Sequence, residues 1–193
     1  MIHDLDETLR ELLVTTVPID PLAVDITFTM PGKDWATAIT KPTVNLFLYD
    51  IRENAELRGN ERLLARSGAT GVETRAPARV DLAYLVSVWT SDVADEHRLL
   101  GNVLRALLSR PVIPQEVLKG TMTTQSYPLR AWIAQAERTP NVWDFWGGLD
   151  GRLKAALSYV VTVAVEAAAP AEYGLVTEKV LKLQLGVPGS ASG

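Results

Sequence analysis

The stretch RVDLAYLVSVWTSDVADEHRLLGNVLRALL, residues 79–108, holds a strand followed by a helix and decides the fold. Over residues 79–90 both alternating faces are mainly apolar, which indicates a strand that is buried on each side. Asp92 is a typical N-cap, and apolar residues then recur at helical spacing until Pro111 ends the pattern. These residues are Leu99, Leu100, Val103, Leu104, Leu107 and Leu108. The sequence therefore predicts a helix whose apolar stripe packs on a central sheet.

The flanking segments predict further elements of the same kind. Residues 4–17 carry leucines on one face, with Asp4 as a candidate N-cap and Pro18 as a stop, and they predict a helix. Alternating or continuous apolar runs predict four more strands, at residues 23–29, 43–51, 128–135 and 157–165. We expect an α/β (α+β) fold in which helices flank a central mixed sheet.

Length and composition restrict the possible classes of protein. The chain has 193 residues, no cysteine, and 19 basic against 23 acidic side chains, for a net charge of −4. A chain of this length suits a single domain, which we place at residues 1–187, followed by a small, flexible tail at residues 188–193. The absence of cysteine excludes disulfide and thiolate chemistry. The low net charge predicts no nucleic-acid partner, and no apolar run approaches the ~20 residues of a membrane-spanning helix, so no membrane partner is expected.

Residue types that favour catalysis are scarce. The two histidines, His3 and His97, lie on separate predicted helices, and the acidic neighbours of His97 are consecutive with it. Consecutive residues point about 100° apart on a helix, so they do not converge on one metal ion. We therefore expect a protein that is not an enzyme and that holds no metal or cofactor. A small α/β enzyme that uses Asp50, Asp81 or Glu96 as an acid or base stays open as the alternative.

An arginine-rich segment, residues 52–79, connects two of the predicted strands. So long a connection is uncommon in a compact domain and is usually functional or disordered. Three of its arginines are spaced by four residues and would share one face if the segment were helical. Because guanidinium groups pair well with carboxylates at protein interfaces, we interpret the segment as an interface loop, the alternative being a solvated, self-neutralising loop. The candidate interface residues are Arg52, Arg58, Arg62, Arg66 and Arg75.

Three segments resemble one known family. They are KPTVNLFLYDIRENAELRGNE at residues 41–61, the opening stretch at residues 79–108, and WGGLDGRLKAALSYVVTVAV at residues 146–165. In order and content they resemble the N-terminal domain of the cap, or tube-and-sheath terminator, proteins of contractile injection systems, which are related to contractile phage tails. The most specific parts are NLFLYDIREN and YLVSVWTSDVADEHRLLG.

The resemblance implies a phage tail-terminator-like fold and a structural role. It implies a homo-oligomeric ring, sixfold like the tube and sheath, that sits on the baseplate-distal end and stops polymerisation. The implied partners are other copies of the chain and the tube and sheath proteins of the last layer, in particles assembled in the cytoplasm. A phage tail-completion protein is the related alternative. Such a role requires complementary surfaces rather than a nucleophile, which agrees with the scarcity of catalytic residue types.

Overall fold

The structure, a computed structural model, describes residues 1–59, 62–67, 70–135, 146–148, 153–166 and 171–174. The chain divides into two units. The larger unit comprises Met1–Gly59 and Pro77–Glu166, and the smaller unit comprises Asn60–Ala76 and Ala167–Gly193. The predicted tail at residues 188–193 lies outside the described residues.

The secondary structure alternates between helices and strands along the chain. The α-helices with both ends described are α1 (Ile2–Thr16), α2 (Lys33–Ala38) and α3 (Val93–Leu108). The strands in chain order are β1 (Asp25–Thr27), β2 (Thr43–Glu53), β3 (Arg62–Ser67), β4 (Thr70–Arg75), β5 (Ala78–Trp89), β6 (Arg130–Ile133), β7 (Ala156–Val165) and β8 (Ala171–Gly174).

The larger unit is built on a five-stranded sheet in the order β1-β2-β5-β7-β6. β1 runs parallel to β2, and the other neighbouring strands are antiparallel. The predicted mixed sheet with flanking helices is therefore confirmed, as are the long central strands, within a residue or two at each end. A β-bulge between Leu48 and Asp50 shifts the register of β2 against β5.

One face of this sheet forms the main core with α1 and α3. Its buried residues from β5 are Leu82, Tyr84, Val86 and Val88, and they cluster with apolar side chains of both helices. Tyr84 is fully buried, and its hydroxyl donates a 2.8 Å hydrogen bond to Asp6 Oδ1 on α1. Burial raises the pKa of the Tyr84 phenol, as does the neighbouring carboxylate of Asp6. A central strand and the first helix are thus joined by packing and by one hydrogen bond within the core.

The opposite face of the sheet is also covered, as the apolar pattern of β5 predicts. Ala83, Leu85 and Ser87 are all buried there. At the end of β5, the Trp89 ring packs edge to face against Trp35 of α2 and against Trp146, with centroids 5.4 Å and 6.3 Å apart. Aromatic side chains from two separate segments therefore close this end of the second face.

The two long helices begin in different ways. Asp92 is the N-cap of α3, as predicted, and its side chain accepts two backbone N–H groups of the first turn at 2.8 and 3.1 Å. The prediction of Asp4 as the cap of α1 is wrong, because α1 already begins at Ile2. The hydroxyl and the backbone N–H of Thr121 both donate to the Asp4 carboxylate and lower its pKa to about 2. Asp4 therefore ties α1 to a distant segment.

Two predicted strands are shorter than expected. β1 has three residues rather than seven, because the N–H groups of residues 23 and 24 turn back to the Asp20 carbonyl. β6 has four residues rather than eight. It ends before Ala134, whose φ of 53° lies in the left-handed region and is incompatible with an extended strand. The short helix α2 was not predicted, since six residues carry little periodic signal.

The leucine stripe of α3 allows a test of the core within one helix. Leu107 is 2% exposed, whereas its neighbour Leu108 is 57% exposed, so the predicted stripe is correct at Leu99, Val103 and Leu107 and wrong at Leu108. We expect Leu107→Ala to lower the free energy of unfolding by ~2–5 kcal/mol, through lost burial and the cavity left behind. Leu108→Ala is the matched control, with an expected change within ~0.5 kcal/mol. Urea unfolding measures both, and equal effects would contradict the packing of α3.

The smaller unit contains an antiparallel sheet in the order β3-β4-β8. The prediction of one domain over residues 1–187 did not anticipate this second sheet. Its first two strands come from the arginine-rich segment, and its third strand comes from a part of the chain about 100 residues further on. Residues 175–193 lie outside the described residues, so the bounds of the predicted domain stay a prediction.

Candidate assembly interface

The arginine-rich segment is mostly strand rather than loop. β3 and β4 pair from Arg62 opposite Arg75 to Ser67 opposite Thr70, with Gly68 and one further residue between them. The suggested helical face is therefore wrong for this segment. A glycine at the first of two connecting positions is a hairpin signal, but the charged side chains on either side of it obscured the strand pattern.

The five candidate arginines do not form one group. Arg62, Arg66 and Arg75 belong to the strands of the smaller unit, where Arg62 and Arg75 are opposite each other in the register and Arg66 is opposite Gly71. Arg52 lies in β2 of the larger unit, and Arg58 follows a short 3-10 helix, Ala55–Leu57. The structure thus assigns the candidates to two units.

The two candidates in the larger unit already have acidic partners. Arg58 donates from Nε and Nη2 to the two carboxylate oxygens of Glu53, at 2.7 and 2.6 Å. These hydrogen bonds lower the pKa of Glu53 and raise the pKa of Arg58. Arg52 forms an ion pair with Asp50. Both arginines and Glu53 are solvent-exposed, while Asp50 is half-buried. Such pairs contribute little to stability, so neither arginine is prevented from exchanging its partner at an interface.

A buried polar network joins three strands at the same end of the sheet. Asn54 is 6% exposed, and its Nδ2 donates to both carboxylate oxygens of Asp81 on β5, at 3.1 and 3.0 Å. Thr162 on β7 donates its hydroxyl to the same carboxylate. Asn54 Oδ1 also accepts the N–H of Leu57 at 3.1 Å and so caps the short 3-10 helix. This network fixes the position at which β2 leaves the sheet.

The carboxylates of the enzyme alternative are held in structural contacts. Asp50 pairs with Arg52, Asp81 accepts from its two hydrogen-bonding neighbours, and Glu96 pairs with Lys154. His97 is exposed on α3. In the part of the chain that the structure describes, no group of three or more histidine, aspartate or glutamate side chains could hold a metal ion.

Two further arginines are Arg79, which the sequence places only as the last residue of the arginine-rich segment, and Arg130, to which the sequence assigns no role. They lie on β5 and β6, which are separated in the sheet only by β7. Their 51-residue separation in the sequence carries no signal of this proximity. Only strand pairing brings them to one end of the same sheet.

Comparison with known proteins supports the fold derived above. The chain is similar over its full length to the sheath/tube terminator of PVC, an extracellular contractile injection system, in the extended state, with a TM-score of 0.70 and 21% sequence identity. It is also similar, over 97% of its length, to the tube-terminating cap of the anti-feeding prophage, with a TM-score of 0.62 and 22% identity. The chain spans 65% and 62% of the lengths of these two proteins, respectively.

The amino-acid sequence gives a family match of its own. No curated protein matches it. The model of the Pvc16 N-terminal domain matches residues 4–178, which include nearly all of the larger unit and about two thirds of the smaller unit. On this match, the chain belongs to the Pvc16 N-terminal domain family.

Proposed function

We propose that this chain is a structural cap that ends the tube and sheath of a contractile injection system. The observation that carries the proposal is the fold, which matches a sheath/tube terminator over the whole chain and a tube-terminating cap over nearly all of it. In this role the chain forms a ring of six copies on the baseplate-distal end. It binds the tube and sheath proteins of the last layer and prevents the addition of another.

The edges of the larger sheet support a role in stopping growth. The Ile26 carbonyl on β1 points away from β2, and Arg10 Nη1 donates to it at 2.5 Å. At the other edge, the N–H of Ala131 on β6 donates to the Pro111 carbonyl at 2.9 Å, and residue 112 bridges to β6. Open sheet edges accept further strands, so edges that are partly occupied from within the chain suit a subunit that ends an assembly.

The arginine-rich segment remains our proposed interface with neighbouring subunits, in a changed form. Arg62, Arg66 and Arg75 now belong to strands, and Arg52 and Arg58 flank the point where the chain leaves the larger sheet. Arginine favours bidentate contacts with carboxylates, which is the property that an assembly interface uses. Substitution of each of the five arginines by glutamate, one at a time, identifies those that contact a neighbouring subunit.

The proposed role places the protein in an assembled phage tail-like particle. We expect it to join the particle in the cytoplasm, where tube and sheath polymerise. No helix in the described ranges combines the length and the apolar composition needed to cross a membrane. The alternative, a tail-completion protein of a contractile phage, would also end an assembly by occupying its last layer, but in a different particle.

Ring formation tests the proposal directly. We expect the purified chain, mixed with the tube protein, to form a sixfold ring on tube ends and to shorten tubes grown in its presence, because the capped end accepts no further ring. Negative-stain electron microscopy measures tube length, and light scattering measures the mass of the ring. A chain that remains a 21.1-kDa monomer and leaves tube growth unaffected would count against capping. Stabilisation of that monomer by a small-molecule substrate would instead favour the enzyme alternative.

A further inference from the structure

Three arginines lie together at one end of the larger sheet, on the face opposite α1 and α3. The pairing register aligns Arg52, Asp81, Thr162 and Arg130 in one row across β2, β5, β7 and β6. Arg79 precedes Asp81 by two residues and therefore lies on the same face. With strands ~4.8 Å apart and a rise of ~3.4 Å per residue, the Cα atoms of Arg79 and Arg130 are about 12 Å apart. Two arginine side chains can reach one ligand across that distance.

The carboxylates nearest to this row are already engaged. Asp81 accepts hydrogen bonds from Asn54 and Thr162, which hold it in place as part of the sheet. Asp50 is paired with Arg52 at the rim. Neither Arg79 nor Arg130 has a carboxylate within 4 Å in the described part of the chain. The end of the sheet therefore carries two guanidinium groups with no ion-pair partner among the described residues, next to the single carboxylate of Asp81.

Arg79 is also held in a fixed orientation. Its guanidinium carbon lies 4.3 Å from the centroid of the Tyr127 ring, so one face of the group is covered. Its Nε is buried and has no hydrogen-bond acceptor among the described residues. Because this Nε is shielded from solvent, a ligand from outside contacts Arg79, which is half-buried, through its Nη atoms. The side chain of Arg130, one strand beyond β7, is exposed to solvent.

We propose that Arg79 and Arg130 form a binding site for a carboxylate-bearing segment of a neighbouring subunit, with Arg52 at its rim. The planar edge of a guanidinium matches a carboxylate in bidentate geometry, and the Tyr127 ring orients that edge in advance. Asp81, in the same row, repels a phosphate dianion more strongly than a single carboxylate, which favours an acidic side chain as the ligand. This inference rests on the proposed capping function, because it names the surface that receives acidic groups of a neighbour.

A glutamate hexapeptide tests the site on the isolated chain. We expect calorimetry at low ionic strength to detect binding that weakens as salt is added. Arg79→Gln and Arg130→Gln should each weaken binding by about tenfold, because each removes a charged hydrogen-bond donor to the carboxylate. Arg98→Gln is the matched control, since Arg98 is exposed on α3 and already paired with Asp95 at 2.6 Å. Circular dichroism and thermal melting verify that each variant is folded. If Arg79→Gln does not fold, Arg130→Gln, which changes an exposed side chain, tests the site alone.

The outcomes separate this site from the capping function. Absence of peptide binding by the wild-type chain, or equal weakening by Arg98→Gln, would overturn the site. Displacement of the peptide by an equal concentration of inorganic phosphate would overturn its assignment to carboxylates. If the chain binds the peptide but never caps tubes, the carboxylate site is supported and the proposed capping function is refuted. Capping that is unchanged in the Arg79→Gln/Arg130→Gln double variant would show that neighbours do not use the site.

Discussion

Particles assembled without this protein are expected to have tubes and sheaths of uncontrolled or unstable length. Each ring of a tube presents a surface that accepts the next ring, and such a head-to-tail contact does not close on itself. Growth then continues until subunits are exhausted, unless a different subunit occupies the last layer. A cap reproduces the contact on one side and lacks it on the other. Electron micrographs of particles from a strain without the gene measure the effect as the width of the length distribution.

Complementation distinguishes capping from an indirect effect on expression. Expression of the wild-type chain in the deletion strain should restore a narrow length distribution. Leu108→Ala, which changes an exposed side chain on α3, should restore it equally. Normal and stable particles in the deletion strain itself would refute the capping proposal, whatever the purified chain does in solution.

The centre of the fold could be predicted because its signals are local and strong. β5 is apolar on both faces, and α3 has an N-cap aspartate followed by apolar residues at helical spacing. Both elements therefore appear in the sequence as they do in the structure. The failure at Leu108 has a simple cause, since apolar residues extend one position further round the helix than the sheet can cover.

The arginine-rich segment was not predicted as strand because its charges obscured a local hairpin and because a distant strand completes its sheet. β4 lies between β3 and β8, and β8 is about 100 residues away in the sequence. The charges of the segment suggested solvent exposure and a helical face, whereas the local pairing of β3 with β4 and the distant pairing of β4 with β8 make it part of a sheet. Arg79 and Arg130 illustrate the same limit for the site, because only the order of strands makes them neighbours.

A half-buried ion pair joins α3 to the segment that precedes β7. Lys154 Nζ pairs with Glu96, and the two side chains are only 16% and 13% exposed. Lys154 Nζ also lies 4.7 Å from the centroid of the Trp89 ring, which adds a cation–π contact. The pair therefore links helix, strand and connecting segment at one point of the larger unit.

Removal of one partner from this pair should be destabilising. We expect Lys154→Met to lower the free energy of unfolding by ~1–3 kcal/mol, because the Glu96 carboxylate then stays largely shielded from solvent without a counter-charge. Glu96→Gln should act in the same direction by leaving the ammonium unpaired. Urea unfolding of both variants, at equal ionic strength, gives the two free-energy changes.

The double variant decides whether the charges or merely the packing are responsible. Replacement of both partners removes both half-buried charges, so Glu96→Gln/Lys154→Met should cost clearly less than the sum of the single changes. The exposed pair of Arg98 and Asp95, also on α3, supplies the control, and Arg98→Met should change stability by no more than ~1 kcal/mol. If the two single changes at Glu96 and Lys154 were simply additive, the pair would contribute by packing alone. The long stem of Lys154 against the Trp89 ring would then be the contact that holds the segment before β7 on the sheet.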